Sequence, residues 1–216
     1  MRDARNILEV EALGIDWMGF IFWPTSKRYV VQRPAYLPTS CQRVGVFVDA
    51  TAEDILLHIA DFSLDIIQLH GSESPDFISR LKNSFATPLP CRGGIGSGVS
   101  IIKAFNIATA DDLEATKPYE GTIDYFLFDT RATVPTGSPA GSALPGGTGQ
   151  QFDWSVLADY DGTTPFLLSG GIGPDDAERV RAFHHPKCIG IDLNSRFEVS
   201  PALKDVNKLK SFIKQL

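Results

Sequence analysis

The sequence predicts an α/β fold organised on a parallel sheet, and three observations predict it. Short apolar runs of strand length alternate with segments of helical periodicity through all 216 residues. Those runs are apolar at nearly every position rather than every second one, as suits strands covered on both faces. Glycine or charged residues recur where almost every run ends, and in a barrel of alternating strands and helices that end carries the site. An open doubly wound sheet is the alternative. No shift in composition divides the chain into halves, which favours one barrel domain over residues 1–216.

Asp3 can cap a helix with Ile7, Leu8, Val10 and Leu13 among its apolar positions and Gly14 as its stop. Residues 15–22 form an aromatic-rich strand ended by Pro24, and the loop Ser26-Lys27-Arg28-Tyr29 follows. Residues 43–48 read as the next strand; Thr51 to Asp54 then read as a capping box for a helix with Ile55, Leu56, Ile59 and Ala60 on one face. A strand over 65–69 delivers the His70-Gly71 turn, and Ser74-Pro75 starts a helix with proline at its first position. Strands follow over 101–105 and 124–128, separated by a helix capped near Thr109; the second strand delivers Asp129. A loop rich in Pro, Gly and Ser over 131–144 leads to a short helix near Trp154. Residues 165–168 and 188–192 are the last strands, with a helix from Pro174 between them. The closing helix carries Leu203, Val206, Leu209, Phe212 and Ile213 as one apolar stripe. That makes seven strands, one fewer than a (β/α)8 barrel, and the eighth belongs ahead of the opening helix, where the sequence supplies no residues.

Twenty basic against twenty-six acidic side chains give a net charge of −6, which disfavours general nucleic-acid binding. Cys41, Cys91 and Cys188 are far apart and include no C-x-x-C pair, so a disulfide framework or zinc site is not expected and a reducing cytoplasm is. The N-terminal residues hold no apolar signal core, and no run approaches the ~18 apolar residues of a membrane span.

Two glycine turns stand beside apolar segments, Pro145-Gly146-Gly147-Thr148-Gly149 and Ser169-Gly170-Gly171. Backbone without Cβ atoms approaches a ligand closely, and successive N–H groups cradle phosphate oxygens; tight surface turns are the other reading. Gly94-x-Gly96-x-Gly98 precedes a strand, whereas a dinucleotide fingerprint follows one, and residues 141–148 have Walker spacing with glycine in the lysine position. Neither marks a nucleotide site. His184-His185 reads as a solvated pair at a helix end. His70 ends a strand, where it faces the mouth of a barrel or serves structure alone. Asp129 is either a loop cap or an acid whose proton is retained by partial burial. Arg28 is either solvent-facing or a bidentate partner for a substrate carboxylate.

Taken in order, Ser26-Lys27-Arg28-Tyr29, Val44-Gly45-Val46-Phe47-Val48, Gln68-Leu69-His70-Gly71, Phe128-Asp129-Thr130, Gly146-Gly147-Thr148-Gly149 with Phe152-Asp153-Trp154, Ser169-Gly170-Gly171 and Asp192-Leu193-Asn194-Ser195 resemble the phosphoribosylanthranilate isomerases of tryptophan biosynthesis. The resemblance implies a cofactor-free (β/α)8 barrel. Its reaction is an Amadori rearrangement of N-(5′-phosphoribosyl)anthranilate to 1-(2-carboxyphenylamino)-1-deoxyribulose 5-phosphate. An acid protonates the furanose ring oxygen and opens the ring to a Schiff base; a base then removes the C2′ proton to give the enolamine. By the same resemblance Asp129 is the acid and Arg28 contacts the anthranilate carboxylate. His70, Gly147, Thr148, Gly149 and Asp192 become further substrate contacts, and Gly170, Gly171, Asn194 and Ser195 the phosphate site. No metal is implied, and the partner is a small sugar phosphate bound by a monomer or homodimer.

The chain also departs from the pattern. In the family the first strand ends in Lys-x-Cys-Gly, whose cysteine is the general base, and residues 1–3 here resemble those directly after that motif. Cys41, Cys91 and Cys188 stand in other contexts, Gln150 stands where relatives often carry lysine, and the stretches 90–100 and 131–144 look longer than typical. Residues 1–216 alone are therefore expected to turn over little or not at all, with in-frame codons upstream supplying the strand. A phosphate-binding barrel without chemistry is the alternative.

Overall fold

The computed structural model describes residues 1–85, 98–130 and 153–216. Seven parallel strands make one sheet in sequence order: β1 (Trp17–Ile21), β2 (Gln42–Phe47), β3 (Ile66–Leu69), β4 (Ser100–Ile107), β5 (Tyr125–Thr130), β6 (Phe166–Leu168) and β7 (Cys188–Ile191). Residues of β1 and β7, the two ends of the sheet, line the same cavity. The sheet is therefore curled on itself, the α/β barrel arrangement, with the seven strands expected from the alternation.

The helices begin where side chains satisfy free amides of the first turn. Asp3 accepts from the Asn6 amide at 2.7 Å ahead of α1 (Ala4–Glu11). Thr51 accepts from Asp54 ahead of α2 (Ala52–Phe62), and Ser74 from Phe77 ahead of α3 (Pro75–Ser84). At α4 (Ala177–Ala182) the capping Asp176 accepts instead from the Gly173 amide, at 2.7 Å. Asp205 accepts from Lys208 ahead of α5 (Val206–Ile213).

The two-residue period of the strands sorts side chains into two layers. Facing outward, Phe20, Phe47, Ile67, Ile101, Phe126, Phe128 and Phe166 are wholly buried in the main core. Facing inward, Val44, Ile66, Ile102, Ala104, Leu127 and Leu167 make a smaller plug. Along β3 the inward series is Ile66, Gln68, then His70; along β5 it is Tyr125, Leu127, Asp129. An apolar floor thus gives way to polar groups toward the C-terminal strand ends.

Two buried anionic groups fix the ends of this sheet. Lys103 of β4 donates to Gly71 O at 2.7 Å, Ala104 O at 3.2 Å, Leu69 O at 3.3 Å and Glu73 Oε2 at 3.2 Å. Glu73 in turn accepts from the Asp49 amide at 2.9 Å and from the Gly71 amide, so one ion pair ties the ends of β2, β3 and β4 together. Glu11 accepts from Tyr36, from the amides of Thr39 and Ser40 and from the Ser40 hydroxyl, which anchors the β1–β2 connection to α1. Desolvation pushes the Glu11 carboxyl up, but these hydrogen bonds together hold it down at about 2.

Several expectations are corrected. β5 runs through Thr130, so Asp129 lies inside the strand opposite Asn106 rather than beyond its end. The helices read after Thr109 and near Trp154 are both present, in 3-10 form, over Ala110–Tyr119 and Trp154–Asp159; Pro118 within the first has no N–H to donate. Leu203 does not join the closing helix: a ribbon of β8 (Glu198–Ser200) and antiparallel β9 (Leu203–Lys204) claims it, and the Asp205 cap starts the helix afterwards. His185 is not solvated, since its ring packs on Tyr160 and Phe166 and Nε2 lies 3.2 Å from Tyr160 O. The stretch 131–144, Gly94, Gly96 and the glycine turn 145–149 lie outside the described residues.

Candidate active site

A cavity of about 660 Å³ occupies the inside of the curled sheet. Its polar groups arrive on successive strand ends: His70 follows β3, Asp129 is on β5, Ser169 follows β6 and Asp192 follows β7. His70 Nε2 lies 3.5 Å from Asp129 Oδ2, with the two side chains 11% and 8% exposed. That contact is close enough for charge–dipole attraction but lacks hydrogen-bond geometry, and Nε2 makes no hydrogen bond among the described residues. The other ring nitrogen, Nδ1, is 3.0 Å from Gln68 Nε2. Ser169 Oγ donates to Asp192 Oδ2 at 3.1 Å. Burial pushes the Asp192 carboxyl up, the nearby Asp129 acts in the same direction, and the Lys204 cation opposes both.

A second group of charges surrounds the β8–β9 ribbon. Arg28 binds Glu198 through a two-pronged pair, Nε at 2.9 Å from each carboxylate oxygen and Nη2 at 2.7 Å from Oε2. Burial raises Glu198, but the Arg28 hydrogen bonds and the Lys204 charge hold its carboxyl below the usual range. Lys204 Nζ donates to Leu193 O at 3.1 Å and to Asn194 O and Oδ1 at 3.0 Å each, and so ties down the turn after β7. Burial lowers the Lys204 ammonium to about 8. Facing that turn, Gly170 and Gly171 have φ of +89° and +70°, backbone that favours glycine.

Of the residues singled out in the sequence, Arg28, His70, Asp129, Gly170, Gly171, Asp192, Asn194 and Ser195 all line this one cavity. Arg28 arrives with Glu198 already on its guanidinium. Gly147, Thr148 and Gly149 lie outside the described residues. Cys41 precedes β2 and Cys188 begins β7, so both stand at the N-terminal ends of strands, away from Asp129; Cys91 is not described. Four participants carried no assigned role in the sequence: Gln68, Ser169, Glu198 and Lys204. Counting back by two from His70 and forward by two from Leu167 reaches Gln68 and Ser169, whereas Glu198 and Lys204 meet only because the ribbon folds. Among the described residues no group of three or more His, Cys, Asp or Glu is arranged to hold a metal ion, and no helix is long and apolar enough to cross a membrane.

The family model described as N-(5′phosphoribosyl)anthranilate (PRA) isomerase matches residues 1–215. A curated relative from Parabacteroides distasonis, N-(5′-phosphoribosyl)anthranilate isomerase, is 47% identical over 222 aligned positions that span 100% of this chain and 90% of the relative. Two solved structures align over 100% of this chain and 97% of theirs, each with a TM-score of 0.74 and 26% identity. One contains monomers generated from a dimeric phosphoribosylanthranilate isomerase of Thermotoga maritima; the other is such an isomerase in complex with reduced 1-(o-carboxyphenylamino)-1-deoxyribulose 5-phosphate.

Proposed function

Because this chain belongs to the N-(5′-phosphoribosyl)anthranilate isomerase family, we propose that it carries out the isomerisation named for that family, with Asp129 as general acid. The observation that carries this reading is a buried carboxyl on the inward face of β5, directed at His70 inside a cavity of substrate size. Asp129 gives its proton to the furanose ring oxygen; the C1′–O bond breaks, the nitrogen lone pair forms the C=N bond, and Asp129 is left as carboxylate. Loss of the C2′ proton to a base then carries the C2′–H electrons into a C1′=C2′ bond, neutralising the iminium as the enolamine, which tautomerises to the amino-ketone. By the family resemblance that base is the cysteine of a Lys-x-Cys-Gly strand, a motif not found in residues 1–216.

Arg28 receives the anthranilate carboxylate through the edge not used for Glu198, since Nη1 takes no part in that pair. The sugar phosphate binds across the turns of Gly170-Gly171 and Asn194-Ser195, where Lys204 supplies positive charge and fixes the carbonyls below. His70 and Asp192 contact the sugar, as do Gly147, Thr148 and Gly149. The enzyme is one barrel domain that works as a monomer or homodimer in the cytoplasm, without cofactor.

Fluorescence of freshly made phosphoribosylanthranilate tests the reading, in residues 1–216 and in a chain extended by an added N-terminal Lys-x-Cys-Gly strand. The extended chain consumes substrate, residues 1–216 do so far more slowly, and Asp129→Asn lowers kcat by about 100-fold or more. Undiminished turnover by Asp129→Asn removes Asp129 from the acid role. A reduced product analogue that binds while neither chain turns over points to a barrel that binds phosphate without chemistry. Equal rates in the two chains make the cysteine dispensable.

A further inference from the structure

We infer that Gln68 is a positioning residue that holds His70 as the Nε2–H tautomer, so that the imidazole donates toward Asp129 as that carboxylate forms. The inference rests on the acid role given to Asp129 above. Gln68 sits inside the sheet, 8% exposed, with its backbone in register with Val46 on one side and Ile102 on the other. Both neighbours point the same way as Gln68 and both are apolar, so the amide lies among side chains that offer it no hydrogen bond. A polar side chain in such a place costs stability unless it is partnered. The side-chain partner Gln68 does have is His70, at 3.0 Å.

A carboxamide nitrogen can only donate, so with Gln68 Nε2 against it Nδ1 is the accepting nitrogen and the ring proton of neutral histidine resides on Nε2. Nε2 is the atom that lies 3.5 Å from Asp129 Oδ2. With the amide turned over, Nδ1 would carry the ring proton and Nε2 would be left as an acceptor, unable to donate to Asp129 once that group is a carboxylate. The Gln68 contact is therefore what selects between the two tautomers.

When Asp129 releases its proton, negative charge develops on a carboxyl whose Oδ2 lies 3.5 Å from the protonated nitrogen, so a small approach of the two completes the hydrogen bond. A donor whose proton already resides on the nitrogen nearest that oxygen stabilises the transition state more than the ground state, because no change of tautomer is needed. Gln68 acts one residue removed from the chemistry, by fixing which nitrogen carries the proton.

The test is 15N NMR of residues 1–216 labelled at histidine, with His70 assigned by its loss in His70→Asn. The result expected is a pyridine-type Nδ1 and a pyrrole-type Nε2. Gln68→Met, close in size, relaxes that preference while the thermal midpoint stays near wild type. Gln68→Glu, which can only accept, moves the proton to Nδ1. In a chain that turns over, Gln68→Met lowers kcat about tenfold or more and leaves KM within about twofold. A wild-type His70 protonated at Nδ1 overturns the inference, as does a Gln68→Met whose nitrogen shifts and kcat match wild type. Failure of the isomerase reading appears separately, as no turnover in any chain with the tautomer pattern intact.

Discussion

Replacing Lys103 by methionine removes a buried ammonium while keeping much of the stem volume. Lys103 and Glu73 have side chains only 3% and 2% exposed, so neither charge can turn to water once its partner is gone. Breaking such a pair from one side costs about 3–5 kcal/mol, against about 1 kcal/mol or less for a surface pair. Glu73 keeps the Asp49 and Gly71 amides as donors, which favours the lower end, about 3 kcal/mol. With a urea slope of about 2–3 kcal/mol/M the midpoint falls by about 1–1.5 M. Adding Glu73→Gln to Lys103→Met removes the stranded charge, and the double variant is more stable than the sum of the singles by about 1 kcal/mol or more. Urea melts followed by circular dichroism measure all three. A Lys103→Met loss below about 1 kcal/mol, or strict additivity, would refute the claim that this pair clamps the ends of β2, β3 and β4.

Two further outcomes are expected. Glu11 is held at about 2 in the folded chain against an ordinary 4.5, so its contribution to stability is fully present above about 4.5 and lost as pH falls toward 2; the stability gap between wild type and Glu11→Gln, measured by denaturant melts, closes across that window, and a gap independent of pH sinks the assignment. Gly71→Ala places a Cβ 2.4 Å from Asp49 Oδ1 and 2.7 Å from the Asp49 amide nitrogen, a backbone clash expected to cost about 1–3 kcal/mol; an unchanged thermal midpoint would show that the turn after His70 shifts freely.

The strands were legible because burial on both faces leaves an apolar run that few other structures produce, and the helix starts at Asp3, Thr51 and Ser74 because a cap is a local interaction between residues three apart. His70 and Asp129 were legible as strand-end polar groups, but their approach to 3.5 Å depends on β3 and β5 flanking β4, a distance no spacing encodes. The β8–β9 ribbon was hidden for the same reason: Leu203 fits a helical stripe and a strand equally well, and only the pairing with β8 decides. The Arg28–Glu198 pair was hidden because Glu198 lies 170 positions further along.

Four residues of the inner plug, Val44, Ile102, Leu127 and Leu167, also line the cavity, together with Val46 packed against them. They take no part in proton transfer, yet their bulk sets how deep a bound molecule can sink before it meets hydrocarbon. The height at which a sugar ring rests, and therefore whether its oxygen comes level with Asp129, is governed by side chains that bear no charge. Selection among substrates of different size can accordingly act on aliphatic volume at those positions, through Val-to-Ile or Leu-to-Val exchanges, while every acid, amide and cation of the site stays unchanged.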